Sequence, residues 1–308
     1  MSRHFKRRLR QELFYASKFG LDGHLGRRGY STLQSGINKI HGRIQFLRGI
    51  ERALGDTLNS QWAQTLKAAN ESPSFLSRKD GLSRDVLFVI DESELALAEG
   101  SVLAVACVAI EDAEYVRGRV KDHLHELLLD PFVAGRKAAL EKRGLHWSDL
   151  TEEMRSGVVK LMASVPARVF VAYGVLHDPA EYETLYLGLL RHLMLPRMTR
   201  YDRCRLDIAV EENSKISGQR VRGLVMDAYS LLVARNGRRP EKAPEVRIEK
   251  KTREPCLAVP DAFLGVLMAY ARRCADERPP EALGLRFERL RDRYRMIFEQ
   301  ETATTHRC

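Results

Sequence analysis

Three short, almost wholly apolar stretches limit what this chain can fold into. Residues 86–90 and 102–110 contain no charged or hydroxyl side chain, and residues 168–174 are nearly as apolar and rich in β-branched and aromatic side chains. Apolar stretches of this length without polar alternation are typical of strands that are covered on both faces. The sequence therefore predicts a central sheet with protein packed on each side.

Helical periodicity follows the first two strands and then alternates with further strands. Helices are predicted over residues 111–129, 150–163, 179–194, 218–233 and 261–273, and further strands over residues 205–210 and 246–249. Strands that come first and are followed by alternating helices and strands indicate an α/β domain with a mixed sheet flanked by helices. This domain is predicted to occupy residues 85–300.

Residues 1–75 predict a separate, small, all-helical basic module. Residues 1–52 hold 12 Lys or Arg against 3 Asp or Glu, so they carry most of the chain's net charge of +10. Such a basic segment on a nearly neutral body is typical of proteins that bind nucleic acid. The alternative is a solvated helix whose charge serves solubility.

Several protein classes are disfavoured by the sequence. The longest apolar run, residues 102–110, is too short to span a bilayer, and the basic N-terminus has no apolar core of a secretory signal. The five cysteines are scattered without a Cys-x-x-Cys pair, which argues against a cysteine zinc site. No Gly-x-Ser-x-Gly elbow or phosphate-binding Gly-Lys loop is present. We expect a cytoplasmic protein with reduced thiols and no membrane partner.

Acidic residues follow or begin three of the predicted elements. Asp91 follows the strand of residues 86–90, Glu211 and Glu212 follow residues 205–210, and Asp261 begins an apolar helix. Taken singly, each could be a turn or helix-capping acid. If the strands are neighbours, the acids converge on one sheet edge and could hold two Mg²⁺ or Mn²⁺ ions roughly 3.5–4 Å apart.

Residues 85–275 resemble a bacterial family known as domain of unknown function 3800. The resemblance rests on Phe-Val-Ile-Asp-Glu-Ser at residues 88–93, Leu-His-Trp at 145–147 and Val-Pro-Asp-Ala-Phe-Leu-Gly at 259–265. It implies a ribonuclease H-like fold and a metal site, with Asp91, Glu211 and Asp261 as ligands. It further implies assisting roles for Glu92 and His146. Glu211 and Glu212 both fit the acid that follows the later strand, and Glu211 is preferred because it directly follows Val210.

The chain departs from that family pattern at two positions. Glu94 stands where glycine is usual, and Pro260 stands where alanine is usual before the acid of the last helix. Either change could alter a tight turn or the geometry of a metal site. They favour the alternative hypothesis, a non-catalytic nucleic-acid-binding or scaffold protein on a degenerate ribonuclease H-like fold.

The N-terminal part resembles the thumb region of retron-type reverse transcriptases through residues 18–24 and 37–47. This resemblance implies a helix that grips a nucleic-acid backbone through Lys39, Arg43 and Arg48, with salt-sensitive binding and no base readout. It also suggests a reverse-transcriptase-related component of anti-phage defence as a partner. The leading hypothesis is therefore a metal-dependent nuclease, a phosphodiester hydrolase that acts on DNA or RNA.

Overall fold

The computed structural model describes residues 85–96, 100–201, 204–236, 243–275 and 281–300. The predicted helical module of residues 1–75 lies outside these residues, and so do Lys39, Arg43 and Arg48. The described part therefore covers most of the predicted α/β domain.

The described strands form one six-stranded sheet in the order β5-β4-β1-β2-β3-β6. Their bounds are β1 (Asp85–Ala96), β2 (Ser101–Ile110), β3 (Ala167–Leu176), β4 (Arg205–Glu211), β5 (Glu245–Glu249) and β6 (Tyr294–Gln300). β2 is antiparallel to both of its neighbours, β1 and β3. The β1–β4, β4–β5 and β3–β6 pairs are parallel.

Seven α-helices of the described residues pack on this sheet. They are α1 (Ala113–Leu129), α2 (Lys137–Arg143), α3 (Glu152–Ser164), α4 (Tyr182–Arg200), α5 (Gly218–Asn236), α6 (Ala258–Ala275) and α7 (Glu281–Arg291). Short 3-10 turns at Pro131–Arg136, Trp147–Asp149, Pro179–Glu181 and Pro255–Leu257 connect several of them.

The apolar strands are buried on both faces, as their composition predicts. Leu87 and Val89 of β1 join a core with α1, α3, α6 and α7, which we call the α6 face. Phe88 and Ile90 point the other way, into a core with α4 and α5, which we call the α4 face. Because successive strand residues alternate between faces, a strand between two helical layers must be apolar at every position.

The predicted α/β class, a mixed sheet flanked by helices, is confirmed for the described residues. A strand order of β3-β2-β1-β4-β5 with β2 antiparallel to the other four is the arrangement of a ribonuclease H-like sheet, here with β6 added beside β3. The sequence did not predict α2, α7 or β6. In α7, many charged residues surround the few buried ones, Arg286, Phe287 and Leu290, which leaves a weak apolar pattern.

The end of β1 was predicted wrongly. Asp91 does not end the strand, because β1 continues to Ala96 as an antiparallel hairpin with β2, in which Asp91 pairs with Ala106. Asp91 instead follows Ile90, the last residue of β1 that pairs with the parallel strand β4. The polar residues that follow Asp91 could join this hairpin because the strand is half exposed there.

None of the helices in the described ranges is both long and apolar enough to cross a membrane.

Candidate active site

Three neighbouring parallel strands bring polar side chains to one edge of the sheet, where β4 and β5 end and β1 continues beyond its pairing with β4. Asp91 lies where β1 leaves β4, Glu211 is the last residue of β4, and Lys251 follows β5 by two residues. Neighbouring parallel strands end at the same edge, which is where open α/β sheets commonly place their sites. The fold thus places two acidic side chains and one basic side chain together, on or directly after three different strands.

Lys251 lies at the centre of this edge. Its side chain is 1% exposed, and its Nζ donates to Asp91 Oδ2 at 3.0 Å and makes a short hydrogen bond to Glu211 Oε2. Asp261 Oδ2 lies 3.6 Å from the same nitrogen. Three carboxylates from β1, β4 and α6 therefore converge on one buried ammonium group.

Asp261 reaches the cluster from the first turn of α6 and is oriented by the preceding loop. The backbone N–H of Trp147 donates to Asp261 Oδ2 at 2.9 Å. Gly265, one turn later in α6, lets the Trp147 ring lie against the helix, since a Cβ there would come within 2.2 Å of Trp147 Cδ1. Close contact between the glycine and the indole thus fixes the loop that carries the neighbouring His146.

His146 lies between two of the carboxylates. Its Nε2 is 3.4 Å from Glu211 Oε1, and its Nδ1 is 3.5 Å from Asp261 Oδ2. Burial and the positive charges of Lys251 and Arg143 lower the pKa of His146 well below its ordinary value. A neutral imidazole has one N–H and one lone pair, so it can donate a proton to one of these carboxylates and accept one at its other nitrogen.

The cluster holds more negative than positive charge. Burial raises the pKa of Asp91 to about 8, the nearby Glu211 adds to this, and Lys251 only partly opposes it. Burial also raises the pKa of Asp261 to about 6, against the effect of Lys251. The three carboxylates in turn raise the pKa of Lys251, although burial favours its neutral form. One ammonium therefore does not offset the burial of three carboxyl groups, and at neutral pH Asp91 keeps its proton.

The donor set suits Mg²⁺ or Mn²⁺ in chemistry and charge, because these ions prefer carboxylate oxygens. Glu211, Asp261 and His146 keep 14–18% of their side chains exposed, which opens the cluster on one side. Yet no three His, Cys, Asp or Glu side chains of the described ranges are arranged as a metal-ligand set. The Lys251 ammonium lies at the point on which the three carboxylates converge.

Glu92 lies apart from this cluster. It follows Asp91 in β1, so its side chain is on the α4 face, where it accepts a short hydrogen bond from Asn213 Nδ2. Asn213 also donates to Tyr182 Oη at 3.4 Å. Burial and the charge of Asp91 raise the pKa of Glu92 to about 7. The alternation of a β-strand thus separates two consecutive acids that the sequence suggested would act together.

Glu211 and Glu212 are also separated by strand alternation. Glu211 faces Lys251, whereas Glu212 lies at the surface, 3.5 Å from Lys250 Nζ. The geometry therefore brings Glu211, and not Glu212, to the acidic cluster.

Both departures from the family pattern fit into the structure without distorting the cluster. Glu94 accepts a hydrogen bond from Ser101 Oγ at 2.7 Å and pairs with Lys215 at 3.1 Å. Pro260 lies in the first turn of α6, where the backbone N–H groups have no partner within the helix and a proline is tolerated.

Lys251 is the residue of this cluster that sequence reasoning missed. It belongs to a run of charged residues, Lys-Lys-Thr-Arg-Glu at 250–254, which looks like a solvated loop. Its position two residues after β5 could have identified it. In a parallel sheet, the residues that follow β5 lie at the same edge as Asp91 and Glu211.

No protein-family model matches this chain, and no curated protein matches it. The two family resemblances described from the sequence therefore have no matching family model. Among solved structures, the chain is similar to the ribonuclease H2 from Pyrococcus horikoshii OT3, with 13% identity and a TM-score of 0.30. This match covers 58% of this chain and 70% of that chain. The fold assignment rests on the strand order and directions rather than on this likeness.

Proposed function

We propose that this chain is a divalent-cation-dependent nuclease whose centre is the cluster of Asp91, Glu211 and Asp261. The observation that carries the proposal is the convergence of these three carboxylates on one buried cation position at the carboxyl edge of the sheet. Carboxylates gathered in this way are a common means of holding the ions that assist phosphodiester hydrolysis.

In this proposal Asp91, Glu211 and Asp261 hold Mg²⁺ or Mn²⁺. When bound, the ion supplies activation of water and neutralisation of charge on the phosphate. The protein prepares the ligands beforehand: the Glu92 N–H donates to Asp91 Oδ1 at 2.8 Å, and the Trp147 N–H holds Asp261. These bonds fix the direction of two of the three carboxylates, Asp91 and Asp261, and reduce the reorganisation that binding requires.

His146 acts in this proposal as a neutral hydrogen-bonding group beside the metal ligands. Its imidazole is neutral and lies at the partly open side of the cluster, between Glu211 and Asp261. Because its pKa is held well below the ordinary value, the ring is a weak base, so its part here is to donate its N–H to a carboxylate, a water or a phosphate oxygen. Glu92 has no direct part in this chemistry, because it lies on the α4 face.

The proposed partner is nucleic acid, either DNA or RNA. The basic segment of residues 1–52, with Lys39, Arg43 and Arg48, would bind its phosphates without reading sequence. We further propose that the biological context is anti-phage defence with a reverse-transcriptase-related component. That context rests on the sequence resemblance of the N-terminal segment.

The test is to incubate the purified chain with end-labelled single-stranded and double-stranded DNA and RNA in Mg²⁺, Mn²⁺ or EDTA. We expect cleavage with a divalent cation and none with EDTA. Glu211→Gln should abolish cleavage, whereas Glu212→Gln, a matched change at the neighbouring surface acid, should leave it intact. Cleavage in EDTA, or cleavage by Glu211→Gln at the normal rate, would contradict the proposal.

A second candidate function is a non-catalytic nucleic-acid-binding scaffold. The observation that favours it is the Lys251 ammonium, which already fills the point where a metal would bind. Tight, salt-sensitive binding of nucleic acid without cleavage under any of the cation conditions would support this function over the nuclease.

A further inference from the structure

Lys251 is an unusual lysine because its charged end is entirely enclosed. Its side chain is 1% exposed, although lysine ammonium groups are strongly hydrated and rarely leave water unless they are paired. Its partners are the three carboxylates of Asp91, Glu211 and Asp261. The same three groups are those proposed to hold the divalent cation, so lysine and metal would share one set of ligands.

The neighbouring lysine shows that this placement is specific. Lys250 is 70% exposed and pairs with Glu212 at the surface, while Lys251 points into the cluster. The next cation along the loop, Arg253, is 81% exposed and lies 4.0 Å from Glu249. The loop after β5 therefore directs one of its three cations inward and two outward.

We propose that the Lys251 ammonium is a resident counter-ion of the acidic centre, which a divalent cation must displace in order to bind. This inference rests on the proposed function, because the competitor is the metal of the proposed nuclease. Without the metal, Lys251 holds the mutually repelling carboxylates together. With the metal, its displacement lowers the affinity of the site, since the ammonium–carboxylate bonds must first be broken.

The structure offers the displaced side chain a place to go. Lys251 and Thr252 line a cavity of about 310 Å³ between α1, α2 and the loop after β5. Most of its wall is apolar, with contributions from Leu124 and Leu140, and it suits the four-carbon stem of a lysine. Glu141 and Lys121 also line this cavity, so a displaced ammonium would meet one carboxylate and one like charge there.

The test compares Lys251→Met with Lys250→Met, a matched change at the exposed neighbour. Each protein is stripped with EDTA, and thermal unfolding and Mn²⁺ binding are then followed during a Mn²⁺ titration. Binding is read from the loss of the free-Mn²⁺ electron paramagnetic resonance signal. We expect Lys251→Met in EDTA to unfold on the order of 10 °C below the wild type, because three buried carboxylates lose their counter-ion. Lys250→Met should match the wild type.

The decisive result is the Mn²⁺ affinity. Lys251→Met should bind Mn²⁺ at a concentration about tenfold lower than the wild type and regain its unfolding temperature on binding. If the wild type binds Mn²⁺ and Lys251→Met binds it no more tightly, the displacement proposal is overturned while the nuclease proposal stands. If neither protein binds Mn²⁺, the nuclease proposal fails and the displacement proposal fails with it.

A second variant covers a failure of Lys251→Met to fold. The double variant Asp91→Asn/Lys251→Met removes one carboxylate together with the ammonium and so restores part of the charge balance. If it folds where Lys251→Met does not, the counter-ion role is supported. If both are insoluble, the lysine is needed for packing rather than for charge, and the proposal is overturned.

Discussion

Two buried ionic clusters lie three residues apart on the loop between β5 and α6, and they differ in charge balance. Lys251 is one cation among three carboxylates. Glu254 is one anion between two arginines: it pairs with Arg117 at 2.8 Å and with Arg247 at 3.4 Å. As whole residues, Lys251 and Glu254 are nearly inaccessible to water, at 3% and 2% exposure. Position and burial therefore do not distinguish them, but their excess charge does.

The pKa values of the two clusters differ accordingly. Burial alone would raise the pKa of Glu254, but hydrogen bonds and charge from Arg117 hold it below its ordinary value. Asp91 shows the opposite outcome, because one lysine does not offset burial and the neighbouring Glu211. A buried carboxylate whose pKa is lowered by its partners is typical of a structural ion pair, and one whose pKa stays strongly raised is typical of a functional site. We interpret the Glu254 cluster as structural and the Lys251 cluster as functional.

The largest expected effect that follows is on activity. Asp91→Asn should lower the cleavage rate on the order of 1,000-fold, because it removes one of three charged ligands of the proposed metal. Binding of nucleic acid, measured by fluorescence anisotropy, should change less than about twofold. The thermal unfolding temperature of Asp91→Asn should not fall below that of the wild type, since the cluster then contains one acidic group fewer. A strongly destabilised Asp91→Asn protein would mean that Asp91 is a structural partner like Glu254.

The converse change concerns stability. Glu254→Gln should lower the free energy of unfolding by about 3 kcal/mol, because it leaves the Arg117 guanidinium partly buried without its carboxylate. Chemical denaturation by urea measures this difference. The Mn²⁺ affinity of the folded protein should remain that of the wild type. Weaker Mn²⁺ binding by Glu254→Gln would show that the two clusters are coupled through the loop. The Glu254 cluster would then not be purely structural.

A smaller effect is expected where packing positions the functional cluster. Gly265→Ala would place a methyl group against the Trp147 ring and should cost about 2 kcal/mol of stability through overpacking. It should also reduce cleavage, because the ring and its loop carry His146 and the N–H that orients Asp261. Gly118→Ala in α1 is the matched control: a Cβ there meets nothing within 4 Å, so this variant should be slightly stabilised. Unfolding temperature and cleavage rate of the two variants give the comparison.

The sequence predicted the sheet well because β2 and the first half of β1 lie between two helical layers and must be apolar throughout. It also indicated that Asp91, Glu211 and Asp261 would meet if the strands were neighbours, because each was expected to follow or begin an element at the same edge. It could not predict the direction of Lys251, since a lysine beside a lysine in a charged loop has no apolar period to orient it. The separation of Glu92 from Asp91 follows from strand alternation, but only once β1 is known to continue through both residues.

The smallest expected effect is a difference in how the two clusters respond to pH. The pKa of Asp91 is raised from 3.8 to about 8 in the folded protein, so between these values the folded state binds more protons than the unfolded state. Stability from this group is complete below about pH 4 and is lost as the pH rises toward 8. Glu254, with its lowered pKa, has the opposite sign: its contribution is present above pH 4.5, the ordinary value of its carboxyl, and is lost as the pH falls.

Urea denaturation in EDTA at pH values from 5 to 8 separates these contributions. We expect the free energy of unfolding to fall with rising pH, with a slope from Asp91 of at most about 1.4 kcal/mol per pH unit. Asp91→Asn should reduce the slope without abolishing it, because the pKa of Glu92 is also raised, to about 7, and that of Asp261 to about 6. The lowered pKa of His146 acts in the opposite direction below pH 6.5. Lys251 adds no slope in this range, since it stays protonated in both states. If Asp91→Asn has the same slope as the wild type between pH 6.5 and 8, where His146 contributes little, then Asp91 does not titrate with a raised pKa, and the Asp91 cluster would be as balanced as that of Glu254.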